Sequence, residues 1–147
     1  MSAAANKNRM MEWLDPNEMH KDSQKWMSEL KFVRDEQLFL NDLVKSYTLQ
    51  LTDSAVFNES KEIIGAIATA EKEVIVLMKK VQAHGNQLEI MLDNIDQLKM
   101  EATYTKTHWE LHTEIAKYSF EYRELKSRLF KLVSKIMKKD KGNRLLN

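Results

Sequence analysis

The stretch KVQAHGNQLE, residues 80–89, decides the fold. Gly85-Asn86 has the composition of a turn, yet the apolar spacing runs straight through it. Ile63, Ile67, Ala70, Val74, Leu77, Val81, His84, Leu88, Met91, Ile95, Leu98 and Ala102 alternate in steps of four and three without a slip. A reverse turn resets the phase of a helical stripe, so the unbroken phase predicts one helix through Gly85. A mid-helix glycine costs only about 1 kcal/mol relative to alanine, which a long packed helix absorbs. The alternative uses Gly85 as a helix stop and Asn86-x-x-Glu89 as a capping box. It would place an extra turn at Gly85-Asn86 and make a four-helix bundle.

Upstream, LDPNEM marks a helix start. Asp15 suits the N-cap, Pro16 the first helical position, and Glu18 the third, with Leu14 and Met19 spaced as a hydrophobic staple. Trp26, Leu30, Val33, Leu40, Val44, Tyr47 and Leu51 then form a seam, with Gln37 its one polar member. Phe32, Phe39 and Leu43 make a second stripe beside it. So wide an apolar face implies contact with two helices at once or with a second subunit. The run TDSAVFNES, residues 52–60, keeps no seam position, and its Asp, Ser, Thr and Asn side chains compete for backbone hydrogen bonds. The first interhelical turn belongs here.

The second reversal falls within 93–107. LDNID is one candidate; ATYTKTHWE, with Thr107-x-x-Glu110 as a capping box, is the other. A last seam follows: Leu111, Ile115, Tyr118, Tyr122, Leu125, Leu129, Leu132 and Ile136. Lysines 138, 139 and 141 followed by Gly142 signal its end. With only three glycines and one proline, the chain lacks the punctuation that many short strands require. The expected fold is all-α, an elongated antiparallel three-helix bundle with coiled-coil-like packing. One bundle domain over 15–140 is expected, with flexible segments at 1–14 and 141–147.

Composition narrows the chemistry. The absence of cysteine excludes disulfides and thiolate chemistry. No apolar run reaches the roughly 18 residues that span a membrane, and the first residues lack the apolar core of a signal peptide. A cytoplasmic protein is expected. No glycine-rich phosphate cradle and no nucleophile elbow around a serine is present, so the chain is expected not to be an enzyme. No concave site, small-molecule substrate or cofactor is expected either.

Two groups of residues invite a functional reading. In HWELH, His108 and His112 share a helical face and could chelate a divalent transition metal, with His84 or Glu101 completing the site. The order is not the H-E-x-x-H of zinc proteases. The structural reading of the same residues makes His108 and His84 neutral seam histidines, with His112 beside the seam. The second group is basic. Residues 123–144 carry nine basic and two acidic side chains, net +7, and the remainder of the chain is net −6. Arg128, Lys131, Lys135 and Lys138 share one face. A solvated face, an acidic protein patch, nucleic acid and an anionic membrane surface are the four readings of it. Poverty in arginine and aromatics disfavours base readout, and an apolar face committed to the bundle disfavours membrane insertion. The leading expectation is protein–protein interaction, including self-association, with Phe32, Phe39, Leu43 and the basic residues as the interaction surface. Metal binding is second and polyanion binding third.

Overall fold

A computed structural model describes residues 15–92 and 97–146 of the chain. Every regular element among them is α-helical: α1, Pro16–Ser46; α2, Thr48–Leu51; α3, Phe57–Leu92; and α4, Gln97–Leu146. No strand occurs among the described residues. Three long helices and one single turn make this an all-α helical bundle.

The start of α1 is the one its sequence encodes. The Asp15 carboxylate accepts the Glu18 amide at 2.8 Å, and the Asp15 carbonyl takes the Met19 amide at 3.1 Å. One of the amides that a helix N-terminus leaves without a partner is thereby satisfied. Leu14, the other half of the expected staple, lies outside the described residues, as does the whole of 1–14. At Tyr47 the helix is interrupted before α2 adds one more turn. Ser46 and Thr48 hydroxyls return to the Asp42, Val44 and Lys45 carbonyls there. After α2 the chain turns where TDSAVFNES predicts, and the Asp53 carboxylate holds the Ala55 amide at 2.9 Å.

Gly85 sits inside α3, and no glycine among the described residues has positive φ. The extra turn that would make four long helices is therefore not formed. Asn86 and Glu89 are mid-helix residues, and the capping box they could make is unused. The second reversal separates Leu92 from Gln97. Most of LDNID falls in residues 93–96, outside the described residues, whereas Thr103, Thr105 and Thr107 lie within α4. The Thr107-x-x-Glu110 box is thus a helix interior. At the other terminus α4 continues through Gly142 to Leu146, beyond the stop expected there. Gly142 keeps a negative φ and does not act as a left-handed stop.

The described chain divides into two compact units. Unit 1 comprises residues up to Phe32 together with Ile75–Lys117; unit 2 comprises Val33–Val74 and the chain from Tyr118 onward. In unit 1, Met19, Trp26, Leu30, Leu77, Val81, Leu88, Tyr104, Leu111 and Ile115 are buried. Lys80 meets Glu114 and His84 meets His108, so α3 and α4 run antiparallel. Asp22 meets His108, and Trp26 contacts both His108 and His112, so α1 and α4 run parallel.

Unit 2 repeats the arrangement with its own residues. Its core holds Leu40, Leu51, Ile63, Ile67, Ala70, Val74, Tyr118, Tyr122, Leu125, Leu129, Leu132, Val133 and Ile136. Ala70 and Glu62 on α3 meet Tyr118 and Arg128 on α4 in antiparallel order, while Glu36 on α1 and Gln50 on α2 meet Tyr122 and Asp140 in parallel order. The polar seam member Gln37 is satisfied inside this core. Its amide donates to the Tyr118 hydroxyl at 3.2 Å, which donates to the Ala70 carbonyl at 2.8 Å. Burial pushes the Tyr118 phenol up to about 12, so it stays a neutral donor.

One seam expectation is corrected. Ala102, placed at the end of the α3 seam, is exposed. The α3 phase does not survive the reversal, and α4 sets its own phase through Tyr104, His108 and Leu111. Of the second stripe on α1, Phe32 and Phe39 are exposed and Leu43 is half-buried.

Candidate functional site

In unit 1, α1, α3 and α4 each bring one polar residue to the same place. His84 is one turn before Leu88 on α3, His108 one turn after Tyr104 on α4, and Asp22 flanks the α1 seam beside Ser23. His84 Nε2 lies 3.0 Å from His108 Nδ1, and His108 Nε2 lies 3.0 Å from Asp22 Oδ2. His84 is 3% exposed and His108 1% exposed, whereas the Asp22 side chain is nearly half exposed. The result is a chain of hydrogen bonds running from a solvated carboxylate into the core.

Its polarity follows from the carboxylate, which can only accept. His108 Nε2 must carry the proton, so His108 Nδ1 accepts, and His84 Nε2 donates to it. His84 Nδ1 is then a bare lone pair. Burial, with a smaller contribution from charge on His108, lowers the His84 pKa to about 4. Burial lowers His108 as well, against the opposing pull of Asp22. Both rings are therefore neutral near pH 7. They are also packed tightly: His84 stacks on Tyr104 with centroids 3.9 Å apart and planes 5° apart, and Trp26 lies 4.5 Å from His108. The Tyr104 hydroxyl faces Ser23, yet neither oxygen makes a well-formed hydrogen bond, and the sealed indole nitrogen of Trp109 makes none.

A cavity of about 530 Å³ opens beside this chain. His84 and Tyr104 form part of its wall, with Ala83, Leu111, Glu110 and the Lys80–Glu114 ion pair around it. The expectation that the helices leave no concave site is thus corrected. Small polar and apolar side chains at 83, 103 and 107 flank the two rings, so α3 and α4 do not fill the space between them.

The four residues proposed as metal ligands are not gathered into one shell. His84 and His108 meet, but each spends a ring nitrogen on the other, and the second nitrogen of His108 is held by Asp22. His112 points outward against Trp26 and Trp109, and half-buried Glu101 has no bond to either histidine. Among the described residues, no group of three or more His, Cys, Asp or Glu side chains is arranged to hold a metal ion. An ion at His108 would have to displace one of its hydrogen bonds.

The basic face belongs to unit 2 and divides in two. Arg128 reaches Glu62 at 3.1 Å, and Lys126 reaches Glu36 at 2.8 Å while lying over the Tyr122 ring. These cations are neutralised within the bundle, as a solvated face would have it. Lys131, Lys135 and Lys138 have no ion pair or hydrogen bond among the described residues. Beside them Phe130 is 42% and Met137 51% exposed, and on α1 Phe39 is 58% exposed.

Asp22, Ser23 and Tyr104 of the histidine cluster lie outside the seams as first drawn from Trp26 and Leu111. Extending the same four-three spacing backward reaches Ser23 and Met19 from Trp26, and His108 and Tyr104 from Leu111. Asp22 carries no such signal, because it stands beside the stripe. No helix among the described residues is long and apolar enough to cross a membrane. No family model, curated protein or solved structure matches this chain.

Proposed function

We propose that this protein is a non-enzymatic helical bundle acting through protein–protein contact, and that its partner is a second copy of itself. The observation that carries this reading is where large apolar side chains remain outside. Among the described residues, eight of twelve lie in unit 2. Contiguous exposed apolar surface rimmed by charge marks contact sites on soluble proteins.

The register supplies the face. The Glu36 carboxylate accepts both Tyr122 and Lys126. From that point Phe39 and Leu43 continue along α1 while Phe130 and Met137 continue along α4, in the same direction. The two rows border the α1–α4 junction of unit 2. Asp35 and Asp42 stand outside the α1 row, and Lys131, Lys135 and Lys138 outside the α4 row; all five are exposed. A strip with carboxylates on one flank and ammonium groups on the other is complementary to itself under a two-fold rotation. The cations unpaired within one copy then meet the carboxylates of the other.

Light scattering at high micromolar concentration tests this. The expected mass is twice the chain's 17.3 kDa. Replacing Phe39 and Phe130 with Asp should return it to the single-chain mass, since a central aromatic at such a contact is worth about 2 kcal/mol or more. Reversing Lys131, Lys135 and Lys138 to Glu should weaken association, and Asp35→Lys with Asp42→Lys in the same chain should restore it. A wild-type chain that stays at 17.3 kDa contradicts the proposal.

A further inference from the structure

The cavity of unit 1 has a feature that its packing role does not use. His84 is buried, its ring forms part of the wall, and its Nδ1 has no partner among the described residues. The hydrogen-bond chain from Asp22 fixes that nitrogen as an acceptor. The opposite polarity would leave the lone pair of His108 Nε2 facing a carboxylate oxygen 3.0 Å away. Because His84 lines the cavity, this acceptor is offered to an occupant's N–H, which can take the place of water on it.

The charge around the cavity selects the occupant's sign. Glu114 is compensated by Lys80 at 2.8 Å, whereas exposed Glu110 has no ion pair among the described residues. One carboxylate is left over, and no cation is. Ala83, Leu111 and the Tyr104 ring supply apolar wall, and the volume is within the range of sites that hold small organic molecules, roughly 300–1,000 Å³. An anion would meet a lone pair and excess negative charge. A neutral hydrocarbon would leave Nδ1 unsatisfied.

We propose that this cavity is a binding site for a small organic cation with an apolar body, an aryl- or alkylammonium, whose N–H donates to His84 Nδ1 while its charge faces Glu110. The site needs only unit 1 residues and does not depend on self-association. Binding draws the Asp22–His108–His84 chain tighter without moving a proton along it, because each donor in the chain already points toward Asp22.

The test uses the full chain at pH 7.5 and three probes of similar shape: phenethylammonium, 2-phenylethanol and 3-phenylpropanoate. Proton–nitrogen NMR of the imidazole rings first reads the tautomers without ligand. Both His84 and His108 should carry the proton on Nε2, with an unprotonated Nδ1. Phenethylammonium should then give saturable shifts at His84 Nδ1. The alcohol and the carboxylate should bind about tenfold or more weakly, the factor that a charge-assisted hydrogen bond commands. Glu110→Gln, a substitution on the exposed rim, should weaken the ammonium several-fold and leave the alcohol unchanged. His84→Phe should abolish the preference, its fold checked by circular dichroism. A proton on His84 Nδ1, no saturation by the ammonium, or a carboxylate that binds as well would each overturn the proposal.

Discussion

The Asp22–His108–His84 chain shows how far single residues are committed by their neighbours. Near pH 7 burial keeps both imidazoles neutral, so acid must destabilise the folded chain through them. The sign follows from linkage. His84 titrates near 4 when folded and near 6.5 when unfolded, so its contribution is complete above 6.5 and is lost as pH falls toward 4. The slope reaches up to about 1.4 kcal/mol per pH unit for one proton. Urea unfolding at pH 7.5 and 5 should show a larger loss for the wild type than for His84→Gln. Equal losses would mean that His84 is not held neutral by the fold. Asp22→Ala removes the acceptor of a buried N–H and should cost about 1–3 kcal/mol in the same assay. In unit 2, Tyr118→Phe strands the Gln37 amide. Tyr118→Phe with Gln37→Leu should therefore cost less than the two single changes added together.

Each long helix is specified by a different local device. The Asp15 cap closes the start of α1, and Asp15→Ala should cost about 1 kcal/mol, read as a lower urea midpoint. The seams were legible because burial follows the four-three spacing. Ile63 to Leu88 and Leu111 to Ile136 are buried at every seam position. Legibility failed where local pattern and tertiary register part company. Ala102 keeps the spacing of α3 but stands after a reversal, so its phase has no meaning there. Lysines and a glycine at 138–142 are good stop signals, yet nothing in them forces the glycine to positive φ, and α4 continues. The interruption at Tyr47 rests on Ser46 and Thr48 hydroxyls competing for carbonyls, an effect of short range and weak sequence signature.

At the scale of the molecule, register decides everything that composition leaves open. The meeting of His84 and His108 is suggested by two seams containing histidine, but the third member, Asp22, depends on how α1 slides against α4. The cavity likewise follows from small side chains on two helices falling level, which no single stripe displays. The basic run is visible as composition, while its division into neutralised Arg128 and unpaired Lys131, Lys135 and Lys138 requires Glu62 to arrive from α3. In unit 1 the reading of α3 as one helix rests on its passing unbroken through Gly85. A Cβ built there meets nothing within 4 Å, and the backbone is helical with negative φ. The equilibrium stability of Gly85→Ala is the most direct measurement. Unbroken helix predicts a gain of about 0.5–1 kcal/mol, seen as a higher urea midpoint. A loss of about 1 kcal/mol or more, the response of a glycine at positive φ in a turn, would contradict it.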